Sequence, residues 1–154
     1  MTSDFAIALH ILGFLTSKGG GPLTSDQMAR TYGTNAVVIR RVQSKLNKAR
    51  LIETRRGLGG GCFLARKPED INLREAYEAV TPEPQLLARH PVSCEEAVPV
   101  VLGRFVNEVC ADAERALLGR LESITIKAMD KAIRSRIRKT LRASRELGLR
   151  KAAS

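Results

Sequence analysis

Residues 24–67 have the pattern of two short helices, separated by a tight turn and followed by a glycine-rich hairpin. Thr24 and Gln27 match a capping box, in which each side chain bonds an unpaired amide at the start of a helix. Gly33 lies in the break after that helix, and Asn35 can cap the second helix with its side chain. This order predicts a winged helix-turn-helix, a fold that inserts its second helix into the major groove of DNA.

The spacing of apolar residues sets the bounds of the second helix and the hairpin. Helical spacing continues to about Ala49 and predicts a buried face made of Val38, Ile39, Val42 and Leu46. The apolar pairs at 51–52 and 63–64 bracket the string RRGLGGG at residues 55–61. Two short strands joined by a flexible tip are therefore expected.

Two further helices are predicted on either side of this region. One runs from Asp4 to about Ser17, with an inner face of Phe5, Ala8, Ile11, Leu12 and Leu15. The other follows the hairpin, where Asp70 or Asn72 is expected to cap a short helix that ends near Ala79.

Positive charge is concentrated in the predicted second helix and hairpin. The chain has 26 Lys and Arg against 16 Asp and Glu, a net charge of +10. Residues 40–67 alone hold nine basic side chains against Glu53, whereas residues 68–133 are net −5 and residues 134–154 net +7. A solvated surface normally mixes charges, so this basic block indicates a polyanionic partner, which for this fold is double-stranded DNA.

The whole chain is predicted to be mainly α with a small β-hairpin. We expect four segments, namely a DNA-binding head at 1–80, a proline-rich connector at 81–99, a dimerisation helix and a closing helix at 100–133, and a basic tail at 134–154. The tail has too few apolar residues for a packed face and is expected to be a frayed helix or flexible arm.

The long helix predicted between Val100 and Leu121 is expected to join two copies of the chain. A helix of roughly 22 residues spans about 33 Å, more than a head of this size needs for its own core. Its apolar residues recur every three or four positions, and we expect the homodimer interface at Leu102, Phe105, Val109, Ala113 and Leu117.

Composition argues against several classes of protein. The chain has no apolar run of about 18 residues, so we do not expect it to span a membrane. It has no basic leader, and its three cysteines are odd in number and widely spaced, unlike those of a secreted protein. A cytoplasmic protein is therefore expected. His10 and His90 are the only histidines, and no nucleophile motif accompanies the cysteines, so we do not expect an enzyme. A winged-helix module that binds proteins stays an alternative.

Three strings carry a family resemblance. They are NAVVIRRVQSKLNKARLI at residues 35–52, RRGLGGGCFLAR at 55–66 and PEDINL at 68–73. Together they resemble the Rrf2 family of bacterial transcription regulators, and VVIRR resembles its YwnA-like branch. The resemblance implies a homodimer whose long helices cross near the symmetry axis and whose heads read successive major grooves of a palindromic operator. Many relatives are repressors that respond to redox state, iron-sulfur status or nitric oxide.

The resemblance also implies DNA contacts at particular residues. Arg40 matches the position that reads base edges, and its guanidinium suits the O6 and N7 acceptors of guanine. Arg56 matches the arginine at the wing tip, which enters narrow A·T-rich minor grooves. The complete predicted set is Asn35, Val37, Arg40, Arg41, Ser44, Lys45, Arg55, Arg56 and Gly57.

The connector departs from that of cluster-binding relatives, which carry three closely spaced cysteines there. Cys94 is the single cysteine between residues 81 and 99. It is either a redox-sensing thiol without a cofactor or part of an iron-sulfur or metal site with His10 and Cys110. In the third alternative, Cys94 and Cys110 are structural or incidental and have no chemical role. A position near a helix N-terminus favours the thiolate, whereas the neighbouring Glu95 and Glu96 oppose it.

Overall fold

The computed structural model describes residues 3–17, 24–57, 59–81 and 97–152. Its helices in chain order are α1 (Ser3–Ser17), α2 (Ser25–Tyr32), α3 (Ala36–Lys48), α4 (Leu73–Val80), α5 (Ala97–Glu122) and α6 (Ile126–Ala152). The strands β1 (Ile52–Arg55) and β2 (Gly61–Leu64) form the hairpin, and a single 3-10 turn at Pro68–Asp70 leads to α4. The predicted fold class, mainly α with a winged helix-turn-helix head and a long helix, is confirmed.

Local side-chain caps fix the starts of the helices in the head. The Gln27 amide donates to the Thr24 hydroxyl at 3.2 Å, and the Thr24 amide donates to the Gln27 side chain at 2.9 Å. Gly33 ends α2 at a φ of +62°, a value that favours glycine. The Asn35 side chain then accepts from the Val37 amide at 2.8 Å and starts α3, as predicted.

The wing is a tightly turned antiparallel pair. Ile52 faces Leu64 and Arg55 faces Gly61, so Arg55 belongs to the strand and not to the predicted loop. At the tip, the Gly60 amide donates to the Gly57 carbonyl at 2.9 Å. A Cβ at Gly60 would lie 2.5 Å from the Arg55 carbonyl oxygen, so this turn requires glycine there.

One hydrophobic core holds the head together. All five residues predicted for the inner face of α1 are buried, and they pack with Ile39, Val42 and Leu46 of α3. Val38 is half-buried and is not part of the core, because the buried stripe of α3 follows the other three residues. Asn72, and not Asp70, caps α4, through a capping box with Glu75.

The start of α6 is anchored to the head. The Leu73 amide donates to the Ile124 carbonyl and the Ile126 amide donates to the Ile71 carbonyl, each at 2.9 Å. Ile126 is fully buried in the core of the head. The turn between α5 and α6 is therefore fixed against the entry to α4.

Two boundaries differ from the sequence expectation. Helix α5 begins at Ala97, so Pro99 belongs to its first turn, where a proline breaks no helical hydrogen bond. Helix α6 continues to Ala152, where a frayed helix or flexible arm was expected from Arg134. This segment contains no proline and is rich in strong helix formers, so local preference favours a helix although apolar residues are sparse.

None of the described helices is both long and apolar enough to cross a membrane.

Candidate nucleic-acid interface

Helix α3 presents one face to solvent beside the wing. Val37 is 64% exposed, and Arg40 and Ser44 are exposed one and two turns further along the helix. Arg40 forms an ion pair with Asp26 of α2 at 3.3 Å, and both side chains are more than half exposed. Exposed pairs of this kind contribute little to stability, so an incoming anion can compete for Arg40.

Arg41 and Lys45 are directed elsewhere. The Arg41 guanidinium contacts one oxygen of the Asp4 carboxylate at 2.6 Å, and the Lys45 ammonium contacts the other at 2.8 Å. Asp4 is a buried residue, 8% exposed. The hydrogen bond from Lys45 lowers the pKa of Asp4; burial opposes this effect, and Arg41 adds to it. Two of the predicted DNA contacts are thus paired within the protein in this structure.

Polar contacts hold α3 against its neighbours. The Ser25 hydroxyl donates to the Gln43 side-chain oxygen at 2.7 Å, which ties the start of α2 to the middle of α3. The Asn47 side chain donates to the Thr54 hydroxyl at 3.4 Å, which ties the end of α3 to β1. The exposed face of α3 and the wing are therefore parts of one connected surface.

The wing carries two arginines in different settings. Arg55 contacts Glu53 and lies over the Phe63 ring, with its guanidinium carbon 4.7 Å from the ring centroid. Arg56 is exposed next to Gly57, and within the described residues no ion pair or hydrogen bond engages its guanidinium. Arg56 is accordingly the wing cation that is most available to a ligand.

The two cysteines that the structure describes lie in different settings. Cys62 is buried in the wing, and burial raises the pKa of its thiol to about 11, although a hydrogen bond with Gln43 opposes the shift. A thiol of this kind is protonated at neutral pH and reacts poorly. Cys110 is half-buried on α5. Cys94, the predicted sensor, lies outside the described residues.

His10 has an aromatic partner. Its ring stacks on that of Tyr32 with the centroids 4.5 Å apart, and the Tyr32 hydroxyl donates to the His10 carbonyl at 3.1 Å. Across the described segments, no group of three His, Cys, Asp or Glu side chains is arranged to hold a metal ion. The alternative ligand set of His10, Cys94 and Cys110 includes a residue outside those segments.

Asp4 is the site residue that the sequence analysis missed. The sequence predicts it only as the first residue of an amphipathic helix. Its partners Arg41 and Lys45 lie 37 and 41 residues away, so no local spacing connects them. The one available signal was an acid beside Phe5 at the edge of an otherwise apolar helix face.

Known proteins place this geometry in a family. The profile of the Rrf2 family, described as an iron-dependent transcriptional regulator, matches residues 1–132. The HTH-type transcriptional regulator YwnA of Bacillus subtilis is 32% identical over 129 residues, which are 82% of this chain and 94% of YwnA. The B. subtilis regulator NsrR is 38% identical over 76 residues, 49% of this chain and 52% of NsrR.

Solved structures agree on the fold. A transcriptional regulator from Lactobacillus plantarum superposes with a TM-score of 0.73 at 22% identity, covering 87% of this chain and 91% of that one. CymR, the global cysteine regulator of B. subtilis, gives 0.65 at 20% identity, covering 86% and 96%. The family match spans the head, the long helix and the start of α6. This chain belongs to the Rrf2 family of transcriptional regulators, and it is not an enzyme.

Proposed function

We propose that this regulator is a sequence-specific repressor that acts as a homodimer on a palindromic operator. The observation that carries the proposal is the pair of accessible arginines, Arg40 on the exposed face of α3 and Arg56 on the wing. A recognition helix and a wing of this kind read the major groove and the adjacent minor groove together. Repression is the mode that the family resemblance favours.

Each proposed contact follows from where its side chain lies. Arg40 would leave Asp26 and take a guanine edge, because a bidentate base contact replaces a weak exposed ion pair. Val37 and Ser44, which are exposed on the same side of α3, would contact neighbouring base edges. The start of α3 at Asn35 suits a phosphate. On the wing, Arg55, Arg56 and Gly57 would lie along the minor groove.

The exposed face of α5 supports the dimer. Phe105 is 62% exposed, and it is flanked on the same face by Val98, Val101, Leu102, Val106 and Val109, all of them exposed. A contiguous apolar stripe of this length is unusual on a monomer and marks an association surface. A second copy would cover it by a two-fold contact, in which each α5 meets its counterpart. Ala113, which is exposed, and Leu117, which is half-buried, extend the expected seam.

Sensing is assigned to Cys94. Cys62 is buried with a raised thiol pKa, which leaves the connector thiol as the better candidate for oxidation. A related regulator, CymR of Staphylococcus aureus, has been solved in an oxidized form. The iron-dependent description of the family favours a second candidate, an iron-sulfur or metal site that uses His10, Cys94 and Cys110.

Salt-dependent binding to duplex DNA tests the proposal. In a fluorescence anisotropy titration, purified protein should bind a random duplex with an affinity that falls steeply as salt rises, because each cation on a phosphate releases condensed counterions. Retention on heparin should show the same dependence. Absence of salt-dependent binding to either polyanion would favour the protein-interaction module.

A further inference from the structure

We propose that Asp4 sets the specificity of DNA binding by withholding Arg41 and Lys45 from the phosphate backbone. The inference rests on the proposed DNA contact of α3. In this proposal Asp4 is a positioning residue. Arg41 and Lys45, which the sequence predicts as DNA contacts, instead hold α3 in place within the protein.

Both oxygens of the Asp4 carboxylate are engaged within the protein. One of its oxygens accepts from Arg41 at 2.6 Å and the other from Lys45 at 2.8 Å. The Lys45 ammonium also donates to the Val80 carbonyl at 3.2 Å, so it has partners on both α1 and α4. Withdrawal of either cation would leave a buried carboxylate short of a partner, which is costly.

The ion pair between Arg40 and Asp26 differs from these in the exposure of its acid. The side chain of Asp26 is 62% exposed, whereas that of Asp4 is 11% exposed. Water can solvate Asp26 once Arg40 has left, but it reaches Asp4 poorly. Arg40 can therefore leave Asp26 for DNA at little cost. The Arg41 side chain is itself 57% exposed, but its departure, like that of Lys45, would leave the buried Asp4 without one of its partners.

The expected consequence is a sharper distinction between the operator and random DNA. Long cations on a recognition helix bind any phosphate and add affinity that carries no sequence information. Pairing with Asp4 removes two such cations and also fixes how α3 is rotated against α1. Val37, Arg40 and Ser44 are exposed on α3 without a bond to Asp4, and these are the residues proposed to contact base edges.

Asp4→Asn tests the proposal directly. The matched control is Asp70→Asn, which removes one negative charge from an exposed position of the same head. We expect Asp4→Asn to bind random duplex more tightly at low salt, with a log–log salt slope steeper by about 0.9 for each released cation. The ratio of operator to random affinity should fall several-fold. The control should match wild type in slope and in ratio.

A second arm leaves the buried acid in place. Arg41→Gln should keep the wild-type salt slope, whereas Arg56→Gln should lower it by about one. If the salt slope of Arg41→Gln also falls by about one, the proposal is overturned, because Arg41 would then be a phosphate contact. This arm decides the question if thermal melting shows that Asp4→Asn is unfolded.

The outcomes separate this inference from the proposed function. If wild type binds neither operator nor random duplex in a salt-dependent way, the proposed function fails. If wild type binds but Asp4→Asn, folded, behaves like Asp70→Asn in slope and ratio, only the role of Asp4 fails.

Discussion

Lys45 donates a hydrogen bond from its ammonium to the carbonyl oxygen of Val80 at 3.2 Å. Lys45 lies on α3, and Val80 is the last residue of α4, just before the connector. The same ammonium contacts Asp4 of α1. A single side chain thus joins three helices, and groups outside the exposed face of Val37, Arg40 and Ser44 help to fix the orientation of α3.

Arg40→Ala should relax base preference at one symmetric position of the operator. The loss there should be about 1–3 kcal/mol, the usual value of a bidentate contact to guanine. Competition titrations with operators substituted one base pair at a time measure it. Arg120→Ala, an exposed arginine at the end of α5, is the control. An unchanged preference in the Arg40 variant would remove Arg40 from the reading set.

Arg56→Ala should weaken binding chiefly when the operator has A·T-rich flanks. A narrow A·T-rich minor groove has an enhanced negative potential that attracts an inserted arginine. The comparison uses two operators with identical half-sites and either A·T-rich or G·C-rich flanks. Equal losses on both duplexes would indicate an ordinary phosphate contact at the wing tip.

Replacement of Phe105 and Val109 by glutamate should give monomers and abolish specific binding together. Both residues lie on the exposed apolar face of α5 that the proposed dimer would bury. A glutamate placed there would be buried in the dimer without a partner, which is strongly unfavourable. Light scattering at micromolar concentration measures the mass. Arg104→Glu, on the same helix but outside the apolar face, should remain dimeric. A monomeric wild type would contradict the assembly.

Sequence reasoning succeeded where the determining contacts are local. The caps at Thr24 and Asn35 span two or three residues, so spacing alone located the starts of α2 and α3. It did not succeed with the partners of Asp4, because a packed tertiary arrangement brings together residues about forty positions apart. The continuation of α6 past Arg134 differs from the prediction for another reason, because local helix preference sustains the helix where apolar residues are too few to indicate it.

Asp4 should make the protein more stable at neutral pH than in acid. Its folded-state pKa lies below the ordinary value of 3.8, so its contribution is present above that value and is lost as pH falls through the folded pKa. Urea unfolding at pH 7 should show Asp4→Asn destabilised by about 1–3 kcal/mol. The difference between variant and wild type should shrink below pH 3.8. An equal difference at every pH would indicate that packing, and not charge, is responsible.

Oxidation should alter operator binding through Cys94. Wild type treated with hypochlorite should change affinity, whereas Cys94→Ser should not respond. Cys62→Ser is the matched control and should respond like wild type, because the Cys62 thiol is buried and its pKa is about 11. Equal responses of wild type and Cys94→Ser would remove Cys94 as the sensor. Purified protein that contains iron and has a visible absorption band would support the metal site instead.

Selection of tight-binding sequences from a random duplex pool tests the central claim most directly. Purified wild-type protein should enrich a palindrome whose half-sites are centred about 10 base pairs apart, or a multiple of that spacing, because two symmetric heads read one face of the duplex. Each half-site should contain a guanine whose preference is lost in Arg40→Ala. Enrichment of a single unpaired half-site, or no enrichment at all, would contradict a dimeric operator-reading regulator.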